Sequence, residues 1–498
     1  MTPPVTPLGS LIDVLADSPV VDALIGGRAD AVAVPEAARA LAVAALRSRA
    51  ERPVLVATPT VIDAERLAND LSQLLGSETV ELYPAWETLP FERVSPSVET
   101  MGRRLRVMWR LRTGGRSTPG VIVAPVRALV QRLGPHVEDI EPVIVRTGAE
   151  LDRDQLLEGL VSTGYRREYQ VEARGEVAVR GSIVDIYPST SDHPIRLDLW
   201  GDEVDRLQAF SVADQRATHD VEGMAVFGAR ELLPTPEVRE RARSLVETEP
   251  WGEKQWERIA DGEVFDGMES WLPWLTADEH LLTDLFPASG VVLLVEPTRM
   301  RDRALELLDD EAALADSLSG TWGAPGGDGF PRLSLPFDRL LAHTDARVVA
   351  LPASPDSPST PHLPATSFDP VAGSAETLAQ RVRSLCADGN RVVLAADGAA
   401  SAERLSTVLG DDGVEAPVLA DAADIGPGSA GVVPAPLEHG AVIPSVSVVV
   451  IAESDLGGRR RPRRRSRRGP GAAPTATRDS SRVTSSSTCS TGSVATRG

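Results

Sequence analysis

The sequence predicts an α/β protein, and three observations carry that prediction. Short apolar, β-branched runs are each followed by a stretch with apolar residues at helical spacing. One intervening segment instead alternates apolar and polar residues with a period of two. Clusters of Pro, Ser and Gly separate the blocks. Taken in order, VLVATPT (54–60) reads as a buried strand leading into the helix VIDAERLANDLSQLL (61–75). GVIVAPV (120–126) reads as a second strand leading into ALVQRLG, so residues 20–140 suggest a parallel sheet. Between them YPAWETLPFERVSPS (83–97), rich in proline and aromatics, reads as a long ordered loop. Over 141–220 a helix, LDRDQLLEGLVSTGY, precedes GEVAVRGSIVDIYP, HPIRLDLWG and EVDRLQAFSV, whose alternation predicts an antiparallel meander in a small α+β unit. Residues 221–345 return to helices around one strand candidate, SGVVLLVEP (289–297). The Pro/Ser-dense span 346–367 reads as a linker and 368–456 as a further α/β unit, while 457–498 lacks periodicity and reads as disordered.

Composition narrows the function. The chain has 498 residues, enough for two to four domains, and its 42% apolar content is enough for real cores. No apolar run spans a membrane, the N-terminus lacks signal-peptide character, and two distant cysteines fit a reducing cytoplasm. Of 51 basic residues only Lys254 is a lysine. It stands in WGEKQWERI, not in the glycine-rich GxxxxGK[ST] loop whose lysine reaches nucleotide phosphates, so a conventional P-loop motor is excluded. The net charge of −21 is uneven: eleven arginines and one acid lie in 457–498, leaving −31 on the rest. A body so acidic does not bind nucleic acid through a general basic field, and the run RRRPRRRSRR (459–468) is the one basic candidate. The seven histidines show no metal-ligand spacing, and no GxSxG elbow occurs.

Several of these segments carry a resemblance. YPAWETLPFERVSPS followed by RRLRVMWRL, and GVIVAPVRALVQRLGP (120–135), resemble the N-terminal region of the bacterial transcription-repair coupling factors. GEVAVRGSIVDIYP (175–188) with HPIRLDLWGDEVDRLQAFSVADQR (193–216) is similar to a stretch shared by that family and the excision-repair protein UvrB. GAVIPSVSVVVIAESDLGG (440–458) resembles the end of the family's third domain. The resemblance implies a degenerate, UvrB-like ATPase lobe over 1–140 and 219–345, split by an inserted domain at 141–218, with a third domain at 368–456. The degeneration is visible in the residues. Pro35 and Glu36 stand where a P-loop would lie, and at VVLLVEP Val295 replaces the metal-binding aspartate, leaving Glu296 as a surface or capping residue.

In the family the inserted domain recruits UvrA, the damage-sensing subunit of nucleotide excision repair. Arginine forks and aromatics suit such an interface, and the matching positions are Arg166, Arg180, Ile186, Tyr187 and Arg196. The family's ATP- and Mg-dependent translocase, and its binding of RNA polymerase and DNA, belong to modules not readable here. The resemblance stops after SDLGG. A shifted reading frame over 482–496 can encode a sequence like the start of the polymerase-binding module, so a frameshift between about 456 and 482 is expected. The leading reading is therefore a UvrA-recruiting fragment without its own motor. The alternatives are a UvrB-like helicase subunit, an arginine-run DNA binder, or a non-functional frameshift product.

Overall fold

The computed structural model describes residues 6–456, other than 28, 277, 325–329 and 371–374. The segment expected to be disordered, 457–498, and the arginine run within it lie outside the described residues.

The first sheet has five parallel strands. In chain order they are β1 (Val54–Thr58), β2 (Val80–Leu82), β3 (Val121–Pro125), β12 (Val291–Val295) and β13 (Arg347–Leu351). Their spatial order is β13-β12-β1-β3-β2. β1 is central, with Val54 opposite Val121 on one side and Val291 on the other. Both faces are covered, which is why these strands are apolar throughout rather than alternating. Val54, Val56, Val121, Val123, Val291 and Leu293 point into one core with helices Glu36–Ala50 and Val61–Leu75. Leu55, Ala57, Ile122, Ala124, Val292 and Leu294 point into the other with helices Val98–Thr113 and Pro297–Trp322. Local chemistry sets the helix starts: Thr60 Oγ1 accepts from Asp63 N at 3.1 Å and Ser97 Oγ from Thr100 N at 3.2 Å.

The span read as a linker, 346–367, opens with β13, a sheet member. The strand runs directly into a Pro/Ser cluster, and that punctuation hides it in the sequence. Residues 31 and 33 bridge to 350 and 362, so the stretch before the first long helix runs along the same edge.

The second sheet has β5 (Arg166–Arg167), β6 (Glu176–Arg180), β7 (Ile183–Ile186), β8 (Ile195–Trp200), β9 (Glu203–Phe210) and β10 (Ala217–Asp220). They pair in the order β10-β9-β8-β7-β6-β5, antiparallel except for β5 with β6. Leu156 and Leu160 of helix Arg153–Ser162 pack on one face, against Val177, Val184, Leu197 and Leu207. At the base β4 (Val143–Arg146) pairs with β11 (Gly223–Val226), joining entry to exit. The third sheet contains β14 (Thr366–Ser367), β15 (Arg391–Ala395), β16 (Ala430–Val433), β17 (Ala441–Ile443) and β18 (Val448–Ala452), in the order β14-β17-β18-β15-β16.

The ordered loop before helix Val98–Thr113 is anchored by charge. Arg104 is fully buried; its Nε lies 2.7 Å from Glu231 Oε1, and it donates to Pro84 O at 3.1 Å. Trp86 Nε1 donates to the same Glu231 oxygen at 3.0 Å, and the Tyr83 ring lies 4.4 Å beneath the guanidinium. Next to it Arg230 pairs with Glu269 and Asp266. Removing one partner of a buried ion pair strands the other's charge. Glu231→Ala is therefore expected to destabilise the chain by about 3–5 kcal/mol, whereas Arg104→Met with Glu231→Leu recovers most of that loss. Urea unfolding followed by tryptophan fluorescence checks both; a single mutant within the error of wild type refutes the assignment.

Candidate functional site

Cross-strand partners share a sheet face, as do residues two apart on one strand. In the second sheet Val177, Val184, Ile186, Ile195, Leu197 and Leu199 take the core face. Among the described residues the opposite face carries only a small apolar cluster of Val171, Ala178 and Phe210. Its pairs are Arg166 with Glu176, Arg180 with Ile183, Ile183 with Asp198, Asp185 with Arg196, and Trp200 with Glu203.

Four of the five residues expected to meet a partner fall on this open face. Arg180 and Arg196 converge on one carboxylate. Asp185 is 1% exposed, and its Oδ2 accepts from Arg180 at 2.6 Å. Arg196 forks onto both oxygens, Nε to Oδ1 at 2.7 Å and a terminal nitrogen to Oδ2 at 2.9 Å. This hydrogen bonding to Asp185 holds the Arg196 guanidinium above its ordinary pKa, and the group lies 4.7 Å over the Phe210 ring. Arg180 remains 43% exposed at its side chain and is thereby presented to solvent in a fixed orientation. Arg166 is exposed, 3.3 Å from Glu176, whose other oxygen is tied to the Glu172 and Ala173 amides. Tyr187 is half-buried with Val171, Ala178 and Phe210, and its hydroxyl donates to Asp192 O at 3.1 Å.

Ile186 is different. It is fully buried among the core residues under the sheet, so a partner cannot reach it without opening that core. The expectation for Ile186 is corrected on this ground: with period two, it and Tyr187 cannot share a face. Sequence reasoning also missed Asp185, whose role needs the register of three strands, and Trp200, whose 81% exposure follows from the alternation in IRLDLW.

The nucleotide-site positions gather at the other pole of the first sheet. Pro35 and Glu36 begin helix Glu36–Ala50, and Val295 ends β12 as a buried apolar residue. Glu296 follows with φ +50°, in the left-handed region, and pairs with Arg39. Glu296 thus takes the N-cap position of helix Pro297–Trp322 without a side-chain capping bond, its carboxylate closing the ion pair instead. Glu36, Arg39, Thr58, Asp63, Asp70, Val295, Arg299 and His439 line a cavity of about 50 Å³. Ligand pockets measure roughly 300–1,000 Å³. With a carboxylate in the helix's first turn and an apolar side chain in place of a metal ligand, these residues do not fit a magnesium nucleotide. Among the described residues no group of three or more His, Cys, Asp or Glu is placed to hold a metal ion.

A loop of the third unit covers this cavity. Asp70 accepts from Glu438 N at 2.9 Å, Asn69 donates to Pro436 O at 3.1 Å, and His439 lies 3.5 Å from Glu36. Burial pushes the Asp70 carboxyl up to about 7, and the neighbouring Glu36 carboxylate raises His439. Between its unfolded value and about 7, Asp70 binds more proton folded than unfolded, so its contribution fades as pH rises through that range. The raised His439 loses its contribution in the same direction, above its unfolded value. The melting temperature is therefore expected to fall between pH 6 and 8, less steeply for Asp70→Asn. Equal slopes in a thermal-shift series would refute the assignment.

Comparison with known proteins places this geometry. Residues 143–232 match the model of the UvrB interaction domain. The chain is 34% identical to the transcription-repair-coupling factor of Mycobacterium tuberculosis, over 91% of this chain and 39% of that protein. It is 26% identical to the Bacillus subtilis factor, over 84% of this chain and 37% of the relative. For Escherichia coli the figures are 34%, 52% and 23%. The chain thus spans at most about two-fifths of the length of these relatives. The chain is similar over most of its length to transcription-repair-coupling factors, and the residues that match the UvrB interaction domain include the open-faced sheet.

Proposed function

We propose that this chain is the repair-recruiting part of a transcription-repair coupling factor and that the open face of its second sheet captures UvrA. The observation that carries the reading is the convergence of Arg180 and Arg196 on buried Asp185, within the residues that match the UvrB interaction domain. A guanidinium held by a buried carboxylate has already lost its rotamer freedom, so less entropy is lost when a partner's carboxylate docks. Arg166 extends the charged surface along the edge strand, and Tyr187 supports it from below. Capture of UvrA where transcription has stalled would bring excision repair to the lesion.

The domain scheme belongs to the same proposal, with its bounds moved to the strands: a UvrB-like lobe at 1–140 and 227–351, the inserted domain at 141–226 and a third domain at 366–456. On this reading the lobe hydrolyses no ATP; the Arg39–Glu296 pair and the contacts from residues 436–439 support it. ATP- and Mg-driven displacement of RNA polymerase from DNA is assigned to other parts of the full-length relatives, and the setting is the cytoplasm.

Arg180→Ala is expected to weaken UvrA capture roughly 10–100-fold, the usual span for an interface anchor, with only a small fall in melting temperature, because Arg196 still holds both oxygens of buried Asp185. Calorimetric titration checks this, and wild-type affinity in the mutant would sink the assignment. Mg-ATP is expected to leave the melting temperature of the chain unmoved at millimolar concentration; a clear upward shift would instead support an active nucleotide site.

A further inference from the structure

The chain has eight tryptophans, and seven of them are buried or half-buried. Trp200 is the exception, 81% exposed at the end of β8. An indole left in water is unusual in so sparing a composition, and its surroundings do not suggest a floppy tip. Trp200 pairs with Glu203 across a two-residue turn, Gly201 and Asp202, in which Gly201 has φ +64°. That turn is clamped from the side: Leu151 N donates to Asp202 O at 2.6 Å, Val204 N to Ala149 O at 3.0 Å, and Gly148 N to Val204 O at 2.8 Å. The backbone beneath the indole is thus fixed on both strands. A large aromatic on a fixed backbone loses little entropy on binding, which is the character of an interface anchor.

Its position is equally specific. Trp200 and Asp198 lie two apart on β8 and share the open face; Asp198 faces Ile183, which faces Arg180. Strand geometry separates Trp200 from Asp198 by roughly 7 Å and the Arg180 strand from β8 by roughly 10 Å. All four residues therefore fit within one interface centre. The charge along the face is polarised. Arg166, Arg180 and Arg196 stand toward β5–β8, and the Trp200 end carries Asp198, Asp202, Glu203 and Asp205, with the one arginine there, Arg206 opposite Asp198, paired with Asp220.

We infer that Trp200 is the apolar anchor of the UvrA-capturing face, entering a partner cleft that has a carboxylate on the side of Arg180 and a basic group on the side of the acidic hairpin tip. The inference rests on the proposed function and extends it to a residue and a polarity. Because the indole touches little of its own chain, Trp200→Ala is expected to leave the melting curve unchanged while weakening UvrA capture roughly 10–100-fold. Trp200→Phe should recover most of the loss, and Glu203→Arg should weaken capture as well. The experiment is calorimetric titration of the full chain and these variants with UvrA, beside Arg180→Ala. Wild-type affinity in Trp200→Ala beside a weakened Arg180→Ala overturns the anchor and leaves the proposed function standing. Tighter capture by Glu203→Arg overturns the polarity. No capture by the wild-type chain overturns the proposed function and the anchor with it.

Discussion

The Arg104–Glu231 pair is the constraint on which much of this architecture depends. Arg104 sits on a helix of the first sheet's layer, and Glu231 lies where the chain has returned from the second sheet. Two fully desolvated charges tolerate little displacement, because each loses its compensation if the other moves. Trp86 and Tyr83 complete the arrangement from the proline-rich loop. The pair therefore fixes the return point of a long excursion, and the neighbouring Arg230 ties that point to Glu269 further on. From there the chain proceeds to β12 and can complete the sheet begun by β1.

Much of the fold was legible in the sequence. The apolar runs at 54–58, 121–125, 291–295 and 391–395 announce buried parallel strands, since only such strands need no polar face. Alternation marks the second sheet equally well. β13 was not legible, because it leads without a break into a proline cluster. At the candidate site, arginines could be chosen by type and by resemblance, but strand register decides what each one faces. Asp185 looks like any acid in IVDIYP; only pairing with β6 and β8 places it between two guanidinium groups. Ile186 failed for the complementary reason, a shift of one residue on a strand of period two.

The first sheet and the groups at its strand ends answer to different constraints. Its strand order and covering helices need only apolar strands and helices with one apolar face. The polar groups at the strand ends are tied to one another and to the third unit. Glu296 turns back into a pair with Arg39, and Glu36 faces His439 across the cover from the third unit. These strand ends serve as a packing surface, and the third unit is held there by charged and polar groups.

The sheet order has a further consequence on the ribosome. β1 lies between strands that begin at residues 121 and 291, and the edge strand ends at 351. All strands of the second sheet, with the pair at its base, lie within residues 143–226. At synthesis rates of about 5–20 residues per second, roughly 6–25 s separate the emergence of residue 226 from that of residue 351. During that interval the embedded sheet can close on its own local contacts. The half-built lobe around it still exposes one side of β1. The open-faced sheet is thus the first part of the molecule able to mature, and the lobe assembles around it.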